Sequence, residues 1–444
     1  MDKDGKKIGL ALSGGGYRAA AYHIGTLRKL QELGVLDQVD VISSVSGGSI
    51  TAAYYALHKD DFKKFEETFR AKLKKGVLGT SWPLLALYLI LLVVLVLGTP
   101  FFLVCCPMAP CCKLLMVFGI WFIFLITLLD GQFIILPTSR LIQRQYDKHF
   151  FQGKTLVDLP KTPVLTINAT EVTHNRIFSF SQTKVSGGDF KESLFKKDKI
   201  PVAFAVMASS AFPGGISPIK FPSEYMTEKR DDAHKPYLID GGIYDNIGCH
   251  KFTEEKSSYK VTYSIVSLAE NDKPVYKSYR NTLTLLRRVI DLALNRIDKL
   301  QEAKNMYSSD NSLQRNAYVV LKWNDKLYDI PQRFLQNAQN GNVPKEVMAI
   351  HGFTEEDLEV LKSLPDMEDR KSATTIFNQY KERVQDAIGW KDLYEKRPDQ
   401  DTIDRAYGVC TSLFGLSDSK IEALATFSEW MTEVQCRLYL PNLL

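Results

Sequence analysis

Residues 8–21 read Ile8-Gly9-Leu10-Ala11-Leu12-Ser13-Gly14-Gly15-Gly16-Tyr17-Arg18-Ala19-Ala20-Ala21, a short apolar run followed by three glycines and a helical pattern. The apolar run predicts a buried strand that ends at about Ser13, and the alanine-rich stretch predicts a helix from about Tyr17. The glycines allow a sharp turn that brings N–H groups close to another molecule. Because N–H groups at a helix N-terminus carry partial positive charge, the loop is a candidate anion site. The anion is either a bound phosphate or an oxyanion formed during a reaction.

The rest of the chain continues this alternation of strand and helix patterns. Its 444 residues are enough for two or three domains, or for one large domain with insertions. Alternating strands and helices predict an α/β fold with a mainly parallel sheet, and the pattern after Pro331 is mostly helical. Further strands are predicted at residues 39–44, 163–168, 177–181, 237–239, 261–268 and 316–323, and helices at 47–57 and 282–301.

Charge and the N-terminal residues bear on partners and compartment. The net charge is only +5, and basic residues are mostly interleaved with acidic ones, as in residues 60–67. This pattern argues against a nucleic-acid partner. The polar residues 1–7 do not resemble a signal peptide, so we expect the catalytic part of the chain to be cytosolic.

A long apolar segment interrupts the α/β pattern. Residues 82–104 carry no charge, and at roughly 1.5 Å per residue they would extend about 34 Å, enough for a bilayer core of roughly 30 Å. A second apolar run covers residues 114–129, and a further patch covers 133–136. Basic residues flank both outer ends, which by the positive-inside rule places both ends in the cytosol. The segment 82–136 therefore predicts a transmembrane or re-entrant hairpin that contacts the bilayer, with a pair of buried core helices as the alternative.

Four of the seven cysteines lie in the connection between the two apolar runs: Cys105, Cys106, Cys111 and Cys112. The Cys-x-x-Cys spacing typical of zinc ligands is absent there. Disulfides, acylation and apolar packing all remain open for these residues.

A candidate nucleophile follows the second predicted strand. The stretch Ser44-Val45-Ser46-Gly47-Gly48 places a serine between a strand and a helix, as in a nucleophile elbow. Such a tight turn needs small neighbours and presents the hydroxyl at a helix N-terminus. The usual motif is Gly-x-Ser-x-Gly, and Ser44 stands here in place of the first glycine. Only Ser46 has both the spacing and a following glycine, at position 48, in the right places.

A serine nucleophile needs a base, and none of the seven histidines lies in a recognisable triad context. The better candidate is Asp240 in the stretch Ile239-Asp240-Gly241-Gly242. There an apolar strand end delivers a carboxylate, and two glycines allow the backbone to approach it closely. Taken alone, this stretch also fits an ordinary Asp-Gly turn.

Together these motifs, Gly-Gly-Gly-x-Arg, x-x-Ser-x-Gly and Asp-Gly-Gly in that order, resemble the patatin-like phospholipase family. Residues 163–171, the block 205–214 and Asn246 extend the resemblance, which covers about residues 5–270 without the hairpin. The family implies a three-layer α/β/α fold with a mainly parallel central sheet. On this basis we predict four parts of the chain: a first catalytic part at 5–75, an inserted hairpin at 76–140, a second catalytic part at 141–330 and a helical C-terminal region at 331–444.

The resemblance also implies site roles. Ser46 would attack an ester carbonyl, Asp240 would accept its proton, and no metal or cofactor would be needed. The oxyanion hole would be formed by backbone N–H groups of Gly14, Gly15, Gly16 and Gly47. The supporting residues would be Arg18, Gly48, Gly241 and Gly242. A nucleotide site is disfavoured, because the glycines are not followed by the Gly-Lys-Ser/Thr of a P-loop.

The implied function is that of a membrane-associated serine acyl hydrolase of the phospholipase A or lysophospholipase type, with a membrane lipid as substrate. Acyl transfer to an acceptor other than water is an alternative, and a catalytically inactive membrane scaffold is another. Homo-oligomerisation, lipid specificity and the role of residues 331–444 are left open by the sequence.

Overall fold

The computed structural model describes residues 7–77, 82–105, 107–129, 133, 137–188, 190–213, 215–231, 234–253, 257, 259–271, 281–307, 315–324, 327–367 and 369–444. Cys106 and most of the predicted apolar patch at 133–136 lie outside these residues.

Within the described residues, nine strands form one mixed sheet. They are β1 Ile8–Leu12, β2 Val41–Val45, β3 Val164–Glu171, β4 Arg176–Phe180, β5 Val185–Gly187, β6 Ile219–Lys220, β7 Tyr237–Asp240, β8 Tyr263–Leu268 and β9 Arg315–Val320. The main order is β5-β4-β3-β2-β1-β8-β9, and β7 pairs with both β3 and β6. The five strands β3-β2-β1-β8-β9 are parallel, whereas β4, β5, β6 and β7 pair antiparallel. The α/β prediction with a mainly parallel sheet is confirmed, with an antiparallel extension that the sequence pattern did not indicate.

The central strands β1 and β2 are covered on both of their faces. All five residues of β1 and all five of β2 are buried, as expected for central strands of a parallel sheet. The predicted strand at residues 39–44 therefore corresponds to β2, and its last residue, Val45, is followed directly by Ser46.

Strand β7 lies end to end with β2 along one edge of β3. Strand β2 pairs with β3 up to Val45 opposite Asn168, and β7 pairs with the next residues, beginning with Asp240 opposite Ala169. Since β4 occupies the other edge of that part of β3, the C-terminal ends of β2 and β7 meet. This topology brings residues 46 and 240 together although 194 positions separate them.

The described helices are α1 Gly16–Glu32, α2 Gly47–His58, α3 Phe62–Lys75, α4 Trp82–Cys105, α5 Pro110–Leu129, α6 Thr138–Tyr146, α7 Val202–Ser209, α8 Gly242–Asp245, α9 His250–Thr253, α10 Thr282–Tyr307, α11 Ile330–Gln339, α12 Lys345–Ile350, α13 Glu355–Ser363, α14 Arg370–Ile388, α15 Trp390–Glu395, α16 Gln400–Tyr407 and α17 Asp418–Tyr439. The prediction of a mostly helical region after Pro331 is confirmed.

The last long helix, α17, packs against α1. A Cβ atom on Gly25 would lie only 1.8 Å from the carbonyl oxygen of Ala425, so the two helices touch at a position where only glycine fits. Beside this contact, Arg28 forms an ion pair of 2.6 Å with Glu429. The C-terminal region is thus part of the same packed body as the first strand and helix.

The opposite face of the sheet carries a second, smaller core. Ala11 and Val266 of the central strands pack there with Ile247, Cys249 and Phe252 from the segment that follows α8. This segment starts a few residues after Asp240, so the same stretch of chain closes the second core and leaves the predicted Asp-Gly-Gly motif at the sheet edge.

Helices α4 and α5 occupy the predicted hairpin. They are joined by a hydrogen bond of 3.1 Å from Trp121 Nε1 to Thr99 Oγ1, and Lys113 Nζ donates to the carbonyl of Leu103 over 2.9 Å. Among the residues that the structure describes, none of the helices combines the length and the apolar character needed to cross a membrane. The prediction that this segment forms two helices is therefore confirmed. The prediction that these helices span a membrane lacks support.

The cysteines of the connection are not packed into a core. Cys105, Cys111 and Cys112 are exposed free thiols, with 4.0 Å between the sulfur atoms of the last two. Apolar packing, one of the three interpretations left open by the sequence, is therefore wrong for these three residues.

Candidate active site

Ser46 occupies a strained turn between β2 and α2. Its backbone has φ 49° and ψ −118°, a conformation that side-chain-bearing residues rarely adopt. The strain turns the side chain out of the strand direction and places it before the first turn of α2, whose N–H groups favour negative charge. Ser46 is only 9% exposed.

The departure from the usual elbow motif at Ser44 is accommodated by hydrogen bonds. Ser44 Oγ donates to the carbonyl of Thr166 over 3.2 Å and accepts from Ser49 Oγ at 3.1 Å. Its φ is not in the left-handed region, which glycine favours, because the positive φ of this turn falls on Ser46. A serine can therefore replace the first glycine without distorting the turn.

Asp240 lies against the Ser46 hydroxyl. Ser46 Oγ donates to Asp240 Oδ2 over 2.9 Å, and the N–H of Gly242 donates to Asp240 Oδ1 over 2.7 Å. Asp240 is only 4% exposed. Burial raises the pKa of Asp240 to about 6, while the hydrogen bonds from Gly242 and Ser46 oppose that rise by stabilising the carboxylate. At neutral pH the carboxylate is mostly ionised and able to accept the serine proton.

Ser209, at the end of α7, forms hydrogen bonds to the turn that carries Ser46. Its hydroxyl accepts a hydrogen bond of 2.9 Å from the backbone N–H of Ser46 and donates to the carbonyl of Asn168 over 2.6 Å. The carbonyl of Ser209 also accepts from the N–H of Gly241 at 3.1 Å, next to the Asp240 carboxylate. One residue thus contacts both turns of the site. Ser209 belongs to the block 205–214 that extends the family resemblance. No motif spacing in the sequence indicates a role for this serine.

The three glycines after β1 form a bent loop. Gly15 and Gly16 have φ of 136° and 58°, values that glycine alone adopts without strain. The N–H of Gly14 donates to the carbonyl of Asn246 over 3.0 Å and is therefore engaged. In the described part of the chain, the N–H groups of Gly15, Gly16 and Gly47 have no hydrogen-bond acceptor. Three of the four predicted oxyanion donors are thus available in this structure, and Gly14 is not.

The loop and the nucleophile elbow are in direct backbone contact. A Cβ atom on Gly47 would lie 2.1 Å from the carbonyl oxygen of Gly16, so any larger residue at position 47 would push the two turns apart. The N–H of Gly48 donates to the carbonyl of Ser13 over 3.1 Å. Close approach therefore explains the glycine at 47, and a backbone bond fixes the distance between the loop and α2.

Among the described residues, Arg18 makes no hydrogen bond to the glycine loop of the kind that the sequence predicted. Its Nη1 donates to the carbonyl of Val409 at 3.5 Å, and its buried Nε has no partner in the described residues. Burial lowers the pKa of Arg18 to about 10, so the guanidinium stays charged at neutral pH. The C-terminal region braces the loop instead, because the N–H of Tyr17 donates to the carbonyl of Ser412 over 2.8 Å.

The arrangement suits acyl transfer. A serine hydroxyl donates to a buried carboxylate, and the adjoining glycine loop and helix start carry N–H groups without an acceptor in the described residues. Gly241, the other predicted supporting residue beside Gly242, packs so tightly that a Cβ there would lie 2.2 Å from the carbonyl oxygen of Asn168. The structure therefore brings Ser46, Asp240 and their flanking glycines together, and Arg18 Nη2 lies 3.4 Å from the place a Cβ on Gly15 would take.

Comparison with known proteins bears on this site. The family model described as "Patatin-like phospholipase" matches residues 10–253, more than half of the chain. The chain is 38% identical over 78 residues to Lysophospholipase nte1 of Aspergillus fumigatus and 45% identical over 56 residues to Lysophospholipase NTE1 of Pyricularia oryzae. These segments cover 18% and 13% of this chain, and only 5% and 4% of those relatives.

Solved structures give weaker likenesses. Human GIVD cytosolic phospholipase A2 is 14% identical with a TM-score of 0.37, over 60% of this chain and 44% of that one. VipD from Legionella pneumophila is 15% identical with a TM-score of 0.30, over 96% and 91% of the two chains.

Proposed function

Because the chain belongs to the patatin-like phospholipase family, we propose that it hydrolyses ester bonds of phospholipids or other lipids through Ser46 and Asp240. The observation that supports this most directly is the hydrogen bond of 2.9 Å from Ser46 Oγ to Asp240 Oδ2 at a strained strand–helix turn. The Lysophospholipase relatives match too small a segment to identify the substrate, which we propose only as a class.

In the first half-reaction Ser46 Oγ forms a bond to the ester carbonyl carbon, and its proton passes to Asp240. The tetrahedral intermediate then collapses, the bond to the leaving alcohol breaks, and Asp240 returns the proton to that alcohol. In the second half-reaction water attacks the acyl-enzyme, Asp240 takes the water proton, and the fatty acid leaves as Ser46 regains its hydrogen. Each half-reaction thus begins and ends with Asp240 ionised.

The negative charge on the carbonyl oxygen needs donors that are already in place. The N–H groups of Gly15, Gly16 and Gly47 have no other acceptor in the described residues, which fits them for this purpose. Such donors act mainly on the transition state, and losing one typically costs roughly 10²–10³ in rate. Gly14, whose N–H is bonded to Asn246, would fix the loop rather than bind the oxyanion.

The pH dependence of hydrolysis tests the function and the base together. Vesicles of phosphatidylcholine or lysophosphatidylcholine are incubated with the protein, and released fatty acid is measured between pH 4 and 9. Because a pKa of about 6 leaves Asp240 protonated at lower pH, we expect kcat/KM to fall tenfold per pH unit below that value. No release from any ester lipid would refute the hydrolase function, and a flat profile down to pH 4 would refute Asp240 as the base.

Acyl transfer, the alternative from the sequence, is distinguished in the same assay. Adding a lysolipid or a long-chain alcohol diverts the acyl-enzyme to a new ester if transfer is the main reaction, and leaves fatty acid as the main product if hydrolysis is.

We further propose that the hairpin of α4 and α5 binds a lipid surface. Its exposed side chains are large and apolar, and Phe101 and Phe118 are 70% and 69% exposed. Exposed apolar patches of this kind mark interaction sites, and a bilayer matches the proposed substrate. Lysines at the end of α3 and arginines of α6 flank the hairpin, and their positive charge would favour contact with a membrane surface that carries anionic lipids.

Flotation with lipid vesicles tests this contact. We expect the wild type to float with the vesicles, and the double variant Phe101→Glu/Phe118→Glu to lose binding by roughly 100-fold or more, since burying one Phe stabilises by about 1.5–3 kcal/mol. The control variant Val157→Glu/Val172→Glu replaces exposed apolar residues elsewhere and should still float. If the Phe101→Glu/Phe118→Glu variant floated as well as the control variant and the wild type, the hairpin would not be the lipid contact.

A further inference from the structure

Asn246 lies between the two glycine motifs of the site. Its carbonyl accepts the N–H of Gly14 at 3.0 Å. Its Oδ1 lies 2.2 Å from the place a Cβ on Gly14 would take, and 2.9 Å from the corresponding place on Gly242. The Asn246 side chain therefore fills the space that both glycines leave open, and its position sets the distance between the glycine loop and the Asp-Gly-Gly turn.

The side chain of Asn246 is held in turn by α10. Asn246 Nδ2 donates to Asp298 Oδ2 over 3.1 Å, and Asp298 is only 2% exposed. One turn further along the helix, Gln301 Nε2 donates to the carbonyl of Tyr244 at 3.2 Å. Helix α10 thus contacts the segment 242–246 twice, and it lies outside the residues 10–253 that the family model matches.

We propose that Asp298 is a positioning residue of the active site, which acts on the oxyanion loop through Asn246 and Gly14. The inference rests on the proposed esterase function, because it assigns the residue a part in that reaction. Asp298 touches neither Ser46 nor the N–H groups of the loop. Without its carboxyl group, Asn246 Nδ2 would be a buried donor without an acceptor, a state that costs about 1–3 kcal/mol and favours a shift of the side chain.

The charges around Asp298 give this residue a pH-dependent effect. Burial, reinforced by Glu270 and Asp245, raises the pKa of Asp298 to about 8, while Asn246 and Lys322 act in the opposite direction. Glu270 is paired with Lys322 at 2.6 Å and also faces Arg18. Asp298 is therefore neutral at pH 7 and becomes a buried anion above about pH 8. A negative charge so close to the glycine loop opposes the oxyanion, so hydrolysis should decline on that alkaline side.

Substitution of Asp298 separates positioning from bulk stability. We expect Asp298→Ala to lower kcat by roughly 10–100-fold, less than the 10²–10³ for losing a donor itself, with KM unchanged because the loop acts on the transition state. Asp298→Asn keeps an oxygen acceptor for Asn246 and should restore kcat to within about threefold of the wild type, since a neutral–neutral hydrogen bond preserves the geometry. It should also lack the decline above pH 8. Lys299→Ala, at an exposed neighbouring position of α10, is the matched control.

Amide hydrogen exchange gives a readout that does not depend on activity. The Gly14 N–H, bonded to the Asn246 carbonyl, should exchange faster in Asp298→Ala and at the wild-type rate in Asp298→Asn and Lys299→Ala. Unchanged exchange at Gly14 in Asp298→Ala would overturn the inference, and so would equal losses of kcat in the alanine and asparagine variants. If Asp298→Ala does not fold, an alkaline decline that persists in Asp298→Asn overturns it. A wild-type protein that hydrolyses no lipid would refute the proposed function, while the exchange result would still decide whether Asp298 holds the loop.

Discussion

Replacing Ser46 by alanine is expected to abolish hydrolysis and covalent labelling by a serine-reactive fluorophosphonate. Loss of a nucleophile that works with its base as one unit lowers kcat by roughly 10⁴–10⁶. The fold should survive, because the Ser46 N–H still donates to Ser209 Oγ and alanine is the smallest residue that keeps a Cβ in this turn. Labelled protein is measured by intact mass, and hydrolysis by fatty acid release from vesicles.

Neighbouring serines provide the control for this experiment. Ser43 is fully buried, and its hydroxyl accepts a hydrogen bond of 3.0 Å from Asn168 Nδ2 rather than contacting Asp240. Ser43→Ala should therefore label like the wild type, with a small loss of thermal stability. Labelling of Ser46→Ala at the wild-type rate would show that another residue is the nucleophile.

Asp240→Asn is expected to have the second largest effect. An amide keeps the shape of the side chain and can still accept the Gly242 N–H, which donates over 2.7 Å, but it cannot take up the Ser46 proton. General-base catalysis typically contributes roughly 10²–10⁴ in rate, and we expect a loss of this size in kcat. Stopped-time assays of fatty acid release measure the turnover, and thermal unfolding verifies that the protein is folded.

Asp245 is the matched control, since it is a buried aspartate at the end of the short helix that follows Asp240. Its carboxylate accepts from the N–H groups of Gly248 and His250 at 3.0 and 2.7 Å, and so it caps a loop rather than facing Ser46. We expect Asp245→Asn to lower the melting temperature while turnover stays within about tenfold of the wild type, because one hydrogen bond to a charged group contributes about 1.5–3 kcal/mol. Equal turnover of Asp240→Asn and the wild type would exclude the Ser–Asp pair.

Much of this site could be predicted because its parts are local in sequence. Strand, small residues and helix follow one another around Ser46, and a strand end with two glycines marks Asp240. Each motif consists of small residues that a tight turn requires. The residue types therefore identify each turn without knowledge of the other turn that it contacts. What joins the two is the end-to-end placement of β2 and β7 along β3, which no local pattern records.

The parts that could not be predicted are those held by distant contacts. The bond from Gly14 to Asn246 removes one expected oxyanion donor, and Asp298 reaches Asn246 from a helix that begins 36 positions later. Arg18 is separated from the last of the three glycines by Tyr17 alone, yet its hydrogen bond goes to Val409. In each case the packing of distant segments determines which residue is the hydrogen-bond partner. The spacing of residues in the sequence does not indicate that partner.

The bond between Tyr17 and Ser412 also has a consequence for how the protein is made. Translation proceeds from the N-terminus, so the glycines, Ser46 and Asp240 all leave the ribosome long before the residue that braces the loop. A nascent chain that has released Asp240 but not yet Ser412 therefore carries its nucleophile and base without this support of the loop. We expect full hydrolytic competence to arise only after Ser412 has left the ribosome, which would limit damage to membranes by shorter nascent chains.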